Sequence, residues 1–325
     1  MDDRLSARLE REARMPGLLE GLVDRLSGSD LNSLLLEVYR RKAAKISAAE
    51  LLAQYRGNRL VQPSPLDMIR LLELELQVLR FLRARGFLPV ELSPAAAFGS
   101  CSVVATVDQH KVLSALRNTE ILADATNALA LHIAATVRSS GGDRSAISRL
   151  CTVHRHIRTQ PFPAGYFPHF KIGCMVSSGL DMGSYHFECD SLLEQLRVLF
   201  GLLKEDMGLG ALRLVIKRRG GYGDGSAFFD RVYAHLVRGL PGEEIVREDE
   251  PADNGYYKGI QFKLYLNTEE RVWEIADGGF VDWTQQLLGN RKERLLISGF
   301  GLEWLYKINE APPGGPGGPP PEGPT

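Results

Sequence analysis

The sequence predicts an α+β protein, an antiparallel sheet flanked by helices and preceded by an N-terminal helical arm. Three observations lead there. Residues 1 to about 60 repeat leucine at helical spacings, in Leu5, Leu9, Leu18, Leu19, Leu22 and Leu26, with charge between them. Tyr256 to Leu266 instead alternates and is rich in aromatic and branched side chains, which is a strand pattern. Beyond it lie a second short strand, Val272 to Ala276, followed by a glycine floor at Asp277-Gly278-Gly279, and Gly299-Phe300-Gly301 running into an apolar helix, Leu302 to Ile308. Glycine in such places lets backbone approach a neighbour or a ligand closely. Taken in order, these pieces describe either one wall of a pocket or a plain β-meander packed on a helix.

The other elements follow in chain order. Ser27-Gly28-Ser29-Asp30 breaks the first helical run, and Ser29 or Asp30 is placed to cap the helix Leu31 to Lys45. Ser47-Ala48-Ala49-Glu50 has the form of a capping box. Arg40, Arg41, Lys42, Lys45, Arg56 and Arg59 make this arm locally basic. It suits a partner helix, RNA, or a helical layer packed on the core. Pro63-Ser64-Pro65 marks a boundary, so the arm is residues 1–62 and the core 63–310. The helix Leu66 to Arg85 carries Ile69, Leu72, Leu76, Leu79 and Leu82 on one side, and Gly86 stands where a helix ends. A strand from Phe87 to Leu92 stops before Pro94. Leu122-Ala123-Asp124-Ala125-Thr126 leads into the helix Asn127 to Val137, so Asp124 either caps that helix or offers a carboxylate to a ligand. A polar loop, Ser139 to Arg149, precedes a strand, Cys151 to Arg158. A turn at Pro161–Gly165 then leads to a returning strand, Phe170 to Val176. Glu188-Cys189-Asp190 opens the helix Ser191 to Lys204, its acids favoured by the helix dipole. A strand at Leu212 to Lys217, a helix at Phe228 to Val237 and an acidic loop at Pro241 to Asp253 complete the core. Residues 311–325 are nearly all Pro, Gly and Glu, a disordered or polyproline-like tail able to meet a proline-reading domain.

With 325 residues, 44% of them apolar, the chain can bury a sizeable core. A net charge of −1 gives no bulk drive toward nucleic acid, so no nucleic-acid partner is expected on this ground. No apolar run is long enough to span a membrane, and Met-Asp-Asp-Arg does not begin a signal peptide. Four unclustered cysteines suit a reducing, cytoplasmic setting. Cys151, His154 and His156 lie close together, but no second ligand pair accompanies them, so no metal site is expected.

Three stretches in order resemble the catalytic core of histidyl-tRNA synthetase, a class II aminoacyl-tRNA synthetase, and its relative, the regulatory subunit of ATP phosphoribosyltransferase. They are Tyr256-Tyr257-Lys258-Gly259-Ile260-Gln261-Phe262, Gly278-Gly279-Phe280-Val281-Asp282 and Gly299-Phe300-Gly301-Leu302-Glu303-Trp304. The long helix and strand before Pro94 resemble the family's dimer-forming motif, and Ile157-Arg158-Thr159-Gln160 with His169-Phe170 its second motif. The resemblance, over about residues 66–310, implies a class II core and a homodimer. It further implies Arg158, Gln160 and Phe170 for the nucleotide, with Arg158 on the α-phosphate and Phe170 on adenine, so ATP with Mg2+ as the cofactor. Asp124, Thr126, Tyr256, Tyr257, Gly278 and Gly279 would hold the amino-acid substrate.

The departures are as informative. Trp304 stands where the family has an arginine beyond ATP, and Ala252 where it has its catalytic arginine. Gln160 and His169 replace two glutamates, and Phe280-Val281 replace the polar histidine-reading pair. Adenylation relies on positioned positive charge, and one such donor is often worth ~3 kcal/mol. Arg117 and Arg155 are candidates to compensate. The expectation is therefore a catalytically degenerate paralogue that binds an amino-acid-like molecule as a regulatory, sensing or scaffold subunit. The alternatives are a stand-alone ligase passing an adenylated carboxylate to a non-tRNA acceptor and, more remotely, an RNA-binding protein using the arm, whose signature would be steep salt dependence.

Overall fold

The alternating segments pair into one sheet whose central strands are antiparallel. The computed structural model describes residues 3–141, 146–162, 167–250, 255–268 and 271–310. The turn at Pro161–Gly165, Ala252, the second residue of Gly141-Gly142 and the tail 311–325 lie wholly or partly outside these.

The arm comprises α1 (Asp3–Ala13), α2 (Leu18–Glu20) running into a π-helical turn (Gly21–Arg25), α3 (Gly28–Ala43) and α4 (Ala48–Gly57). Ser27, not Ser29 or Asp30, caps α3, its hydroxyl accepting from the Asp30 amide. The Ser47–Glu50 capping box forms in both directions. No described arm residue is buried, and Val23, Leu51 and Leu52 are 65%, 60% and 50% exposed. The arm is thus not a layer packed on the core. It touches the rest through a few polar contacts, among them Asn32 Nδ2 to Asn118 at 2.6 Å and Arg59 to the Phe162 carbonyl at 3.5 Å.

The helix α5 (Met68–Ala84) starts at Asp67, whose carboxylate accepts from the Ile69 and Arg70 amides. Its Leu71, Leu74, Val78, Phe81 and Leu82 face the core. Of the five residues the spacing placed on one side, Leu82 is buried, whereas Ile69, Leu72 and Leu76 belong to an exposed opposite stripe. The eight-stranded sheet runs β1-β4-β5-β10-β9-β8-β6-β7. Its strands are β1 (Leu88–Pro89), β4 (Ser148–Ile157), β5 (His169–Leu180), β6 (Leu212–Arg218), β7 (Glu244–Glu248), β8 (Lys258–Asn267), β9 (Val272–Val281) and β10 (Glu293–Gly301). A small pair, β2 (Ala95–Ala97) and β3 (Thr119–Ile121), stands apart. The edges β1–β4 and β6–β7 are parallel and the rest antiparallel. The helices α6 (Ala125–Ser139), α7 (His186–Phe200), α8 (Gly225–Gly239), α9 (Trp283–Leu288) and α10 (Leu302–Glu310) complete the fold. The largest core cluster joins α5, α7 and α8 to the sheet through Leu82, Leu192, Leu196, Phe228, Phe262 and Phe300.

Four expectations change. The strand predicted over Phe87–Leu92 pairs only at Leu88–Pro89. The loop predicted at Pro241–Asp253 contains β7, which lies beside β6 through Ile245 and Val246. The helix expected from Ser191 begins at His186, so Glu188 lies in its first turn, fully buried, bonded by Arg294 Nε at 2.8 Å and the Tyr222 hydroxyl at 2.9 Å. The strand expected over Val272–Ala276 runs on to Val281, so Asp277-Gly278-Gly279 lies inside β9. A Cβ on Gly278 would sit 2.5 Å from the Ile297 carbonyl, and one on Gly279 2.5 Å from the Ile260 carbonyl. Glycine is needed there because the adjacent strands leave no room for a side chain.

Candidate functional site

Beside the sheet, the start of α6, the ends of β4 and β10, and the middle of β9 enclose a cavity of about 500 Å³. Asp124, Thr126, Arg158, Gln160, Phe170, Tyr256 and Tyr257 all line it. Gly278 and Gly279 are not among its lining residues; a Cβ on Gly279 would lie 2.7 Å from the Tyr257 ring, so this glycine seats Tyr257 rather than a ligand.

The deep wall is built on Asp124. It caps α6, one carboxylate oxygen accepting from the Thr126 amide at 2.8 Å and the Thr126 hydroxyl at 2.7 Å. The other oxygen accepts from the Tyr256 hydroxyl at 2.7 Å. Capping and facing the cavity, alternatives in the sequence, are thus done by one side chain. Burial alone would raise its pKa, but the Arg158 guanidinium and the Thr126 bond outweigh burial and hold the carboxyl below the usual range. Burial first, then the Asp124 charge, pushes the Tyr256 phenol well up, so Tyr256 stays a neutral donor.

A second carboxylate, Asp277, lines the cavity from β9, accepting from Gln261 Nε2 at 2.8 Å and the Tyr257 hydroxyl at 3.2 Å. Gln261 is oriented in turn by Arg219 Nε, which donates to its oxygen at 3.0 Å. Burial raises the Asp277 carboxyl to about 6. The sequence assigns Asp277 no role beside its glycine pair, because its partners Gln261 and Tyr257 lie on the neighbouring strand and just before it. His156 is 1% exposed and accepts from the Ala125 amide through Nε2 at 3.0 Å. Burial lowers its pKa to about 3, so the ring is neutral. With Nε2 accepting, its proton resides on Nδ1. Among the described residues no group of His, Cys, Asp and Glu is arranged to hold a metal.

The outer wall is aromatic and basic. Arg158 Nε donates to the Ala123 carbonyl at 3.2 Å, and its Cζ lies 5.6 Å from the centre of the Phe170 ring. Phe162 meets Phe170 edge-on at 6.2 Å. Trp304 packs on Trp273 at 5.0 Å, and Lys307, one turn on, places its ammonium 4.9 Å above the Trp304 ring. Lys111, Lys171 and Lys307 are the other cations on the cavity, and Arg158 is the one arginine among the described lining residues. Neither Arg117 nor Arg155 lines it, and Arg155 is bonded to Glu303 at 3.1 Å. Lys307 was legible only as the residue one turn beyond Trp304.

No protein-family model matches the sequence, and no curated protein does. Solved structures do match, and the fold they define is a class II aminoacyl-tRNA synthetase-like core. An ATP phosphoribosyltransferase regulatory subunit/histidyl-tRNA synthetase from Bacillus halodurans superposes with a TM-score of 0.58 at 12% identity, covering 77% of this chain and 82% of its own. Histidyl-tRNA synthetase from S. aureus, in its apo form, gives 0.57 at 14% identity over 77% and 68%. A histidine–tRNA ligase subunit from Alicyclobacillus acidocaldarius gives 0.55 at 13% identity over 77% and 95%.

Proposed function

We propose that this chain is a non-charging, synthetase-like paralogue that binds an amino-acid-like molecule and works as a regulatory or sensing subunit. The observation that carries the reading is the pairing of a half-buried, ionised Asp124, held by Thr126 and Tyr256, with an outer wall that has a single arginine among its described residues. A preorganised carboxylate suits an ammonium group. Adenylation needs several positive donors about the α-phosphate, and the position matching the family's distal arginine holds Trp304, packed against Trp273. A homodimer fits the same reading, because α5 presents Met68, Ile69, Leu72 and Leu76 at 71%, 65%, 42% and 47% exposure. The exposed apolar positions of the arm offer a protein partner a surface. A cytoplasmic protein accords with four free cysteines, and no helix among the described residues is long and apolar enough to cross a membrane.

A second reading rests on the Arg158–Phe170 pair. An arginine over an aromatic ring fits a phosphate and a stacked base, so Arg158, Gln160 and Phe170 would hold ATP, and the Mg2+ would arrive on its phosphates. Bound ATP would supply the leaving pyrophosphate for a stand-alone ligase. Amino-acid-dependent pyrophosphate exchange into ATP separates the two, with Arg158→Ala as the control. No exchange, together with an amino-acid-induced rise in melting temperature, supports the first reading; exchange that disappears in Arg158→Ala replaces it with the second.

A further inference from the structure

The cavity contains two carboxylates whose hydrogen bonds come only from neutral donors. Asp124 is bonded by Thr126 and Tyr256, and Asp277 by Gln261 and Tyr257. Neither forms an ion pair among the described residues. Lys263 stands opposite Asp277 in strand register, yet its ammonium is engaged by Glu274 at 2.9 Å. Glu303, another carboxylate on the cavity, is likewise matched, by Arg155 at 3.1 Å. With no cation in direct contact, each carboxylate keeps part of its desolvation cost, which Arg158 and Lys263 offset only through space. A fold that wanted only structure there would do better with amides.

The two are also arranged as a pair. Their phenol donors are adjacent residues, Tyr256 and Tyr257, whose rings meet edge-on with centroids 4.8 Å apart. Behind them Gly279 leaves the room that Tyr257 occupies. Within the cavity wall a further polar atom is unsatisfied. His156 Nδ1, which carries the ring proton because Nε2 accepts from Ala125, has no partner although the residue is 1% exposed.

We propose that the ligand carries two cationic groups, an α-ammonium at Asp124 and a second ammonium or guanidinium at Asp277, as in a basic amino acid. Asp277 is then the specificity-determining residue. This rests on the amino-acid-binding reading above and narrows it, and it excludes a plain apolar side chain, which would leave the Asp277 carboxylate desolvated and unpaired. Sites built around a buried polar group reject analogues that cannot pair with it far more strongly than apolar pockets reject a missing methylene.

The test is calorimetric titration of the full chain with L-lysine, L-ornithine and L-arginine against L-norleucine and L-leucine at neutral pH. It is repeated on Asp277→Asn after circular dichroism has shown that the variant folds. A basic amino acid should bind at least about tenfold tighter than norleucine, and Asp277→Asn should shrink that ratio to about threefold or less. Norleucine binding as tightly as lysine would overturn the inference while leaving amino-acid binding intact. So would a lysine preference that survives unchanged in the variant. Binding of none of these, nor of any other standard amino acid, would overturn both. Should Asp277→Asn fail to fold, the wild-type ratio of lysine to norleucine decides alone.

Discussion

Asp277 carries the clearest pH signature in the molecule. Its folded pKa lies at about 6, because burial penalises the charge and Glu274 adds to the penalty, while Gln261, Lys263 and Tyr257 partly offset it. On the β10 side its register partner is Gly299, which brings no charge. An unfolded aspartate titrates near 3.9. Between those values the folded state binds more protons than the unfolded state. The contribution is therefore fully present below about pH 4 and lost as pH rises through about 6. Ligand-free wild type should lose melting temperature across that window relative to Asp277→Asn, which lacks the titration. Parallel melting curves for the two proteins from acid to neutral pH would remove the assignment. At Asp124 the expectation is a binding effect. Asp124→Asn keeps the cap but loses the charge, so amino-acid affinity should fall by about tenfold or more, as for a charge-assisted contact of ~1.5–3 kcal/mol. Unchanged affinity in titration calorimetry would remove Asp124 from the site.

At the scale of elements, the buried ion pair Arg294–Glu188 fastens the first turn of α7 to the start of β10. Glu188 is 0% exposed and its Oε2 has no partner, so it depends on Arg294 and Tyr222 through its other oxygen. Removing one member of such a pair strands the other, which typically costs about 3–5 kcal/mol. Arg294→Ala should lower unfolding free energy in urea by that order, and the double change Arg294→Met with Glu188→Leu should recover much of it. A single variant with an unchanged denaturation midpoint would refute this. The acids at 188–190 were legible as helix-opening residues, but Glu188's partner is 106 positions away and no local pattern announces it. The same limit hid β7, whose Ile245 and Val246 are masked by Glu243, Glu244, Glu248 and Glu250 on either side. Strand β8 was readable because its alternation is local, with Ile260, Phe262, Leu264 and Leu266 buried on one face. The glycine pair was legible as a place of close backbone approach, but not as part of the strand. The neighbours it approaches are the Ile297 and Ile260 carbonyls, which belong to the flanking strands and lie far off in sequence. Gly278→Ala should accordingly destabilise by about 1–3 kcal/mol or more, as overpacking does, and a wild-type midpoint would show the strands can part.

At the scale of the whole molecule, the resemblance located seven of its nine site residues on one cavity although they lie between positions 124 and 257. Only the sheet order, with β10 inserted between β5 and β9, brings the strand holding Phe170 close to the wall holding Asp277. That order also leaves α5 on an outer face with its second apolar stripe open. Leu71, Leu74 and Val78 face inward, while Met68, Ile69, Leu72 and Leu76 face away, joined by Leu88 at 61% exposure. A helix apolar on two faces gains little from showing one of them to water. A second copy of the chain, packed through the same face about a twofold axis, would cover it. Light scattering should then report a dimer at micromolar concentration, and Leu72→Glu with Leu76→Glu should convert it to a folded monomer, since both residues lie outside the core cluster. The variant should melt at lower temperature than the dimer and lose the concentration dependence that an associating protein shows. A wild-type chain that is a strict monomer in that experiment would assign the stripe to another partner and remove the homodimer from the proposal.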